Sequence, residues 1–230
     1  RKIHGGVGGS IAQDQIGAFK NTIVKLGYAY RMEALSGNLS FGLAGNLVNI
    51  GYDASKFTPI EENDPVLGQL EKASDMMIDV GLGAFYSVPE EYYIGLSVDN
   101  LLQTRGKKTN YQLRRTFYLN GGYHFDLPNH PLFEINPSAQ ILFDGAVFQF
   151  NASALLVYNN KFYGGLGYRL NEASVLAGLY VKGIQIGLAY DIGINSMTSY
   201  NNGSLEVVLN YCFKIDTDKY KRTYRNTRFL

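Results

Sequence analysis

The chain has 230 residues with 21 Lys+Arg against 20 Asp+Glu, a formal charge of +1, so its length suits one domain or one large β structure and its charge balance carries no nucleic-acid footprint. One cysteine, Cys212, excludes an internal disulfide framework and a Cys-rich zinc site, and the histidines at 4, 124 and 130 are scattered. The 26 Gly, 18 Tyr and 13 Phe, with no Trp and 6 Pro, are the profile of a β protein, and no stretch approaches the ~20 apolar residues of a membrane helix.

The chain opens on Arg1-Lys2-Ile3-His4 rather than on Met or a signal sequence, which reads as a mature or truncated product. From there the pattern predicts strands over 4–13, 20–34, 39–50, 76–87, 92–100, 115–126, 132–143, 147–158, 162–170, 174–181, 184–192 and 204–213. That is roughly twelve strands, many near the ~10 residues that cross a bilayer when tilted. Each alternates apolar with polar or small residues. Tyr92, Ile94, Leu96 and Val98 oppose Tyr93, Gly95, Ser97 and Asp99. Phe133, Ile135, Ala139, Ile141 and Phe143 oppose Glu134, Asn136, Ser138, Gln140 and Asp144. Ile184, Ile186, Leu188 and Tyr190 oppose Gln185, Gly187, Ala189 and Asp191, and Leu205, Val207, Leu209, Tyr211 and Phe213 oppose Ser204, Glu206, Asn210 and Cys212.

Period-two alternation alone fits a membrane barrel and a soluble sandwich equally. Connection lengths separate them. If consecutive strands form hairpins, one end receives the short turns 35–38, 88–91, 127–131, 159–161 and 182–183, while the other receives 14–19, 51–75, 101–114, 144–146, 171–173 and 193–203. An outer-membrane barrel predicts that asymmetry, with tight periplasmic turns and long external loops. Aromatic residues recur toward strand ends on the apolar face, among them Tyr86, Phe117, Phe148, Phe162 and Tyr190, as in interfacial girdles, although the lack of Trp is unusual for one. Glycines on the opposite face, including Gly81, Gly95, Gly122 and Gly187, leave room in a crowded lumen.

The opening HGGVGGSIAQDQIGAFKNTIVKLGYAYRM, the following SGNLSFGLAGNLVNIGYDASKF with NDP after it, FYSVPEEYYIGLSVDNLL, FYLNGGYHFDL and the terminal RFL together resemble the PorP/SprF family, outer-membrane proteins of the type IX secretion system. The likeness runs along essentially the whole chain and rests on the order and spacing of segments that are each a generic barrel hairpin. The resemblance implies an all-β fold, a transmembrane antiparallel up-and-down β-barrel of about fourteen strands, an even number as in other single-chain bacterial barrels. The first two strands, with the family's signal peptide and NPAY-like segment, lie upstream of this chain. The barrel then spans 1–213 and a basic periplasmic tail spans 214–230. The resemblance also implies an integral outer-membrane protein without enzymatic activity, cofactor or metal. Its expected partners are a periplasmic peptidoglycan-associated lipoprotein, secreted adhesins or the C-terminal domain of other cargo, and outer-membrane lipids. In the gliding subset such proteins support export and surface retention of large adhesins.

Three features are candidate sites. The tail carries six Lys/Arg (Lys214, Lys219, Lys221, Arg222, Arg225 and Arg228) against Asp216 and Asp218. Arg225, Arg228, Phe229 and Leu230 combine charge with an apolar terminus, as a docking peptide does, against the simpler reading of a solvated tail drawn to lipid headgroups. The long loop holds Asp53, Lys56, Phe57, Pro59, Asp64 and Pro65, a mixture suited to contacting cargo or to roofing the lumen. Asp79, Asp99, Asp144, Asp191 and Glu206, with Arg169 nearby, gather toward the loop end. They serve as a selectivity ring if the protein is a diffusion or small-solute channel, and otherwise as ordinary polar filling.

Catalytic readings find no footing. His124 and Asp126 share a face without a Ser or Cys nucleophile, and the GGVGG after His4 lacks the helix of a phosphate loop. Cys212 is expected to point inward as a small buried residue. A soluble all-β binding protein is the remaining alternative, and the sorting of loop lengths speaks against it.

Overall fold

The computed structural model describes residues 5–53, 55, 72–194 and 203–213. Among these residues thirteen strands follow one another: β1 Gly5–Ile16, β2 Phe19–Ala34, β3 Gly37–Tyr52, β4 Ala73–Val88, β5 Tyr92–Asp99, β6 Thr116–Tyr123, β7 Phe125–Asp126, β8 Phe133–Phe143, β9 Phe148–Tyr158, β10 Phe162–Arg169, β11 Glu172–Val181, β12 Ile184–Gly193 and β13 Ser204–Tyr211. All belong to one antiparallel sheet in which neighbours in space are neighbours in sequence, the up-and-down arrangement, with β7 pairing β8 beside β6. β6 and β7 form one course. Gly122 faces Ser138 and Phe125 faces Ile135, three residues further in both strands, so no residue is inserted. The break falls where β8 carries Pro137, which has no N–H for a ladder, and His124 donates its N–H to Glu91 O on the other side at 2.7 Å. The twelve courses match the number read from the alternation.

The faces are those the alternation predicts. Leu26, Leu43, Ile78, Leu96, Leu119, Leu166, Leu188 and Val207 form an outer belt around the sheet, and the exposure is large even at mid-strand, 67% for Leu26 and 66% for Leu166. A contiguous apolar surface of that extent is lipid-facing rather than water-facing. The inner face is polar or small, with Ser138 Oγ and Ser153 Oγ 2.8 Å apart and Asn151 donating to Gln140 Oε1 at 3.2 Å.

The sheet curls strongly around that inner face. Lys25 on β2 forms an ion pair with Asp99 on β5. In a flat sheet strands three apart would be separated by about 14 Å, too far for the two side chains to bridge. Gly81 makes room, since a Cβ there would lie 2.6 Å from Asp99 Oδ1. β1 and β13 are the two ends of the path and are not paired with each other.

Connections at one end are short: 35–36, 89–91, 127–132, 159–161 and 182–183. At Asn159–Asn160 and Lys182–Gly183 both central residues have positive φ (51° and 50°, 50° and 83°), the backbone that matches the twist of a hairpin. The other end carries 53–72, 100–115 and 194–203, but also the tight turns 17–18 and 170–171. The first hairpin is therefore longer than the alternation implied: β1 and β2 stay paired up to Ile16 and Phe19, and Gly17 with φ 57° turns the chain. Cys212 departs from expectation too, being exposed rather than buried.

Candidate functional site

β3 and β4 run beyond the end of β5. β5 pairs with β4 only from Leu82 to Val88, whereas β4 stays paired with β3 up to Ala73. The inner face of this extension is apolar where a lumen is ordinarily polar, with Ile23, Val48, Ile50 and Met77 in its middle. Residues 100–115 fold back over it. Leu113, 5% exposed, packs on Val48 and Met77 to make the buried core of the described residues, flanked by Ile23 and Ile50.

Two inward carboxylates on β4, four residues apart, hold this loop by its backbone. Asp79, fully buried, accepts N–H groups from Val80 at 2.7 Å, Leu102 at 2.9 Å and Thr104 at 3.0 Å. Asp75 accepts from Thr109 N at 2.6 Å, Thr109 Oγ1 at 2.7 Å and Lys108 N at 2.9 Å. Gly106 is required for the close approach, since a Cβ there would meet Asp75 Oδ2 at 2.5 Å. The loop also completes the open edge of β4, because Leu101 N–H donates to Val80 O at 3.0 Å and the Thr104 hydroxyl donates to Ile78 O at 2.7 Å. Its own feet are tied by Asn100 Nδ2 to Arg114 O (3.1 Å) and Arg115 Nη2 to Leu101 O (2.9 Å). The result is an inward-folded cover over one sector of the lumen at its loop end.

Four of the five carboxylates read as a ring, Asp79, Asp99, Asp144 and Asp191, have partners of their own. Asp79 anchors the loop, Asp99 pairs with Lys25, and Asp191 accepts from Ser174 Oγ at 2.5 Å. Arg169 is 3.8 Å from Glu172 rather than facing the predicted set, although Arg169, Asp191 and Glu206 share the lining of one cavity of about 340 Å³. His124 Nδ1 lies 3.0 Å from Asn136 Oδ1, a cross-strand polar pair without a nucleophile.

Asp144 ties the β8–β9 turn: its Oδ1 accepts N–H from Val147 at 2.7 Å and Ala146 at 2.9 Å. These bonds, the Val147 one foremost, hold its carboxyl below the ordinary value of 3.8. A lowered folded-state pKa contributes stability that is present above the unfolded value and lost as pH falls through the folded one. Hydrogen-exchange protection of Ala146 and Val147 should therefore be steady at neutral pH and fall in the acid range below 3.8. Asp144→Asn should remove that pH dependence, and an unchanged acid loss of protection in the variant would show another group to be responsible.

Of the site residues predicted in the loop, Asp53 alone is among the described residues; Lys56, Phe57, Asp64 and Pro65 lie outside them, as do Arg225, Arg228, Phe229 and Leu230 of the tail. Asp53 is a staple at the foot of its loop. Its N–H donates to Ala18 O at 3.0 Å, its carboxylate accepts from the Ser55 hydroxyl at 2.7 Å and amide at 3.3 Å, and Lys72 Nζ is 3.6 Å away. The Ser55 hydroxyl holds that carboxyl below its ordinary range. The anchoring role of Asp75 and Asp79 escaped the sequence reading. Its signal was the row of apolar residues at inward positions of β2, β3 and β4, which a polar lumen does not call for unless something covers them.

A search of the curated proteins finds no match. Among solved structures the chain is similar to the β domain of the Bordetella autotransporter BrkA, with 14% identity over 91% of this chain and 100% of that one and a TM-score of 0.44. The family model described as type IX secretion system membrane protein PorP/SprF matches residues 1–211, which contain the whole of the described sheet, and the chain belongs to that family.

Proposed function

We propose that the protein is a non-enzymatic outer-membrane component of the type IX secretion system, which supports secretion or surface attachment of large adhesins or other cargo and docks to periplasmic machinery. The observation that carries this reading is the family match over residues 1–211, on a sheet whose outer belt is apolar and whose inner face is polar. In this reading the short-turn end and the C-terminus face the periplasm and the loop end faces outward, as in other outer-membrane barrels. The inner face supports a scaffold rather than a catalyst, because Asp79, Asp99 and Asp191 are engaged with loop amides, Lys25 and Ser174. A small-solute channel is the second reading, and the cover formed by residues 100–115 weighs against a freely open lumen.

The test is gentle purification of the native protein from detergent-solubilised outer membranes, with mass spectrometry of everything that accompanies it. A periplasmic peptidoglycan-binding lipoprotein or a large secreted adhesin is the expected companion. A solitary barrel that conducts ions in planar bilayers would move the assignment to the channel. The basic tail with its apolar end is proposed as the periplasmic docking peptide. Deleting residues 224–230 should leave the heat-modifiable barrel intact on a gel and abolish recovery of the periplasmic companion; undiminished co-purification would refute the docking role.

A further inference from the structure

The cover over the lumen is strongly basic. Residues 100–115 include Arg105, Lys107, Lys108, Arg114 and Arg115 and no Asp or Glu, and all five cations are exposed. Asp75 and Asp79 hold the loop through N–H and hydroxyl groups, so the anchoring neutralises none of these side chains. Among the described residues none of the five forms an ion pair. The loop is thus a platform, anchored through its backbone, that presents a surplus of positive charge at the mouth of the lumen. Flexible surface lysines would lose entropy on engaging a ligand, whereas here the backbone that carries the charges is already ordered by the two carboxylates.

The platform is concave at its base. A cavity of about 410 Å³ lies between the loop and the β8–β9 turn, lined by Arg114, Arg115, Gln103, Gln112 and Asp144. Asp144 accepts from the turn amides and its charge interacts with Arg114, Arg115 donates one guanidinium N–H to Leu101 O and Gln112 Nε2 one to Gln103 O, so the cavity offers the remaining N–H groups of the two guanidinium groups and of the two side-chain amides. Guanidinium forks are matched to carboxylates, and amides to peptide groups. The exposed Leu102 and Tyr111 stand beside the cations, 64% and 49% exposed, and add apolar surface of the kind that receives side chains. Position favours a polypeptide over the lipid leaflet, because the loop is fastened to the inward residues Asp75, Met77 and Asp79, while the lipid side of the same strand shows Met76 and Ile78. The cavity at its base also takes in Phe117 of the outward row, and lipopolysaccharide is therefore the competitor in the test.

We propose that the basic face of residues 100–115 and the cavity at its base bind an acidic stretch of polypeptide presented at the mouth of the barrel. This rests on the secretion reading above and specifies the chemistry by which an exported or surface-retained chain is held. The site grips carboxylate side chains through Arg114, Arg115, Lys107 and Lys108 and the intervening peptide groups through Gln103 and Gln112.

The test uses the full chain in detergent micelles and a fluorescently labelled oligo-glutamate peptide, read by anisotropy, with labelled oligo-lysine as the control and purified lipopolysaccharide as competitor. Saturable binding of oligo-glutamate and none of oligo-lysine is expected, weakening steeply between roughly 50 and 500 mM salt as the Debye length shrinks. The triple variant Lys107→Gln, Lys108→Gln, Arg114→Gln leaves the anchoring bonds in place. It should keep heat-modifiable migration and bind about tenfold or more weakly, since complementary charge is what is removed. Absence of oligo-glutamate binding, or equal binding by the triple variant, overturns the proposal. Displacement of the peptide by lipopolysaccharide at far lower concentration than by unlabelled oligo-glutamate also overturns it and assigns the site to lipid. Co-purification of secretion components is scored in parallel on the parent protein. Its failure with peptide binding intact defeats the secretion reading alone, and its success without peptide binding defeats this site alone.

Discussion

Asp79→Ala should release residues 100–115 from the lumen without dissolving the sheet. The parent carboxylate is fully buried and accepts three backbone N–H groups, two of them from the loop. Bonds to a charged acceptor contribute roughly 1.5–3 kcal/mol each and are not additive, so about 3 kcal/mol of loop-closing free energy is at stake, on the order of a hundredfold in open population. Two effects reinforce the loss: Leu102 and Thr104 are left as donors without an acceptor, and Leu113 loses the pressure that keeps it on Val48 and Met77. Trypsin should then cleave at Arg105, Lys107 and Lys108 at a rate on the order of a hundred times the parent's, with the gel-migration signature of the folded barrel retained. Asp79→Asn should behave similarly, because one carboxylate oxygen becomes an NH₂ that faces N–H donors. Asp75→Asn should be milder, since Asp79 still holds the first half of the loop. Cleavage at parental rates in Asp79→Ala would show the loop to be held by its feet and by Leu113 alone.

The second large effect is expected at Gly178 on β11. A Cβ there would run into the ring of Tyr163 on β10 and the carbonyl of Ile186 on β12 at once. The ring has little freedom to retreat. Gln185 Nε2 donates to its hydroxyl at 3.3 Å, the Tyr180 ring packs 5.1 Å away, and the hydroxyl also lies where a Cβ on Gly187 would be. Gly178→Ala should therefore cost about 1–3 kcal/mol, as overpacking of a tight site does, and Gly178→Val more. The readout is the temperature at which folded migration is lost on a gel, which should drop for Ala and drop further for Val. Pairing Gly178→Ala with Tyr163→Ala should recover part of the loss, and only part, because the Ile186 carbonyl remains. Equal transition temperatures for parent and Gly178→Ala would mean that the strands separate at no cost, and the tight inner packing would be refuted.

What could be read from residues in order is specific. Period-two alternation is set by the pleat, so the outward rows of β5, β8 and β12 were legible residue by residue. The up-and-down order followed because every link between predicted strands was hairpin-like or a single longer loop. Local turn chemistry marked Asn159–Asn160 and Lys182–Gly183, where short-range backbone preference dominates. The errors have two sources, one local and one distant. Ile16 looked like loop yet pairs with Phe19, because Gly17 at positive φ lets the chain reverse in a two-residue turn, tighter than the polar run around it implied. Asp79 looked like one member of a ring, yet its partners lie 23 and 25 residues away in a loop whose path no local pattern reveals.

The sequence by itself determined the class of fold, the two faces of β5, β8, β12 and β13, the number of courses and, through the order and spacing of its segments, the family. These depend on interactions within a strand or across one turn, so a one-dimensional pattern contains them. Only the tertiary structure decided which carboxylates are spoken for, that residues 100–115 fold inward over Val48 and Met77, and that Lys25 reaches Asp99 across the curl of the sheet. Each of these depends on the curvature of the sheet and on where strands end relative to one another. Those quantities arise from the packing of many residues at once, and no single segment of the chain encodes them.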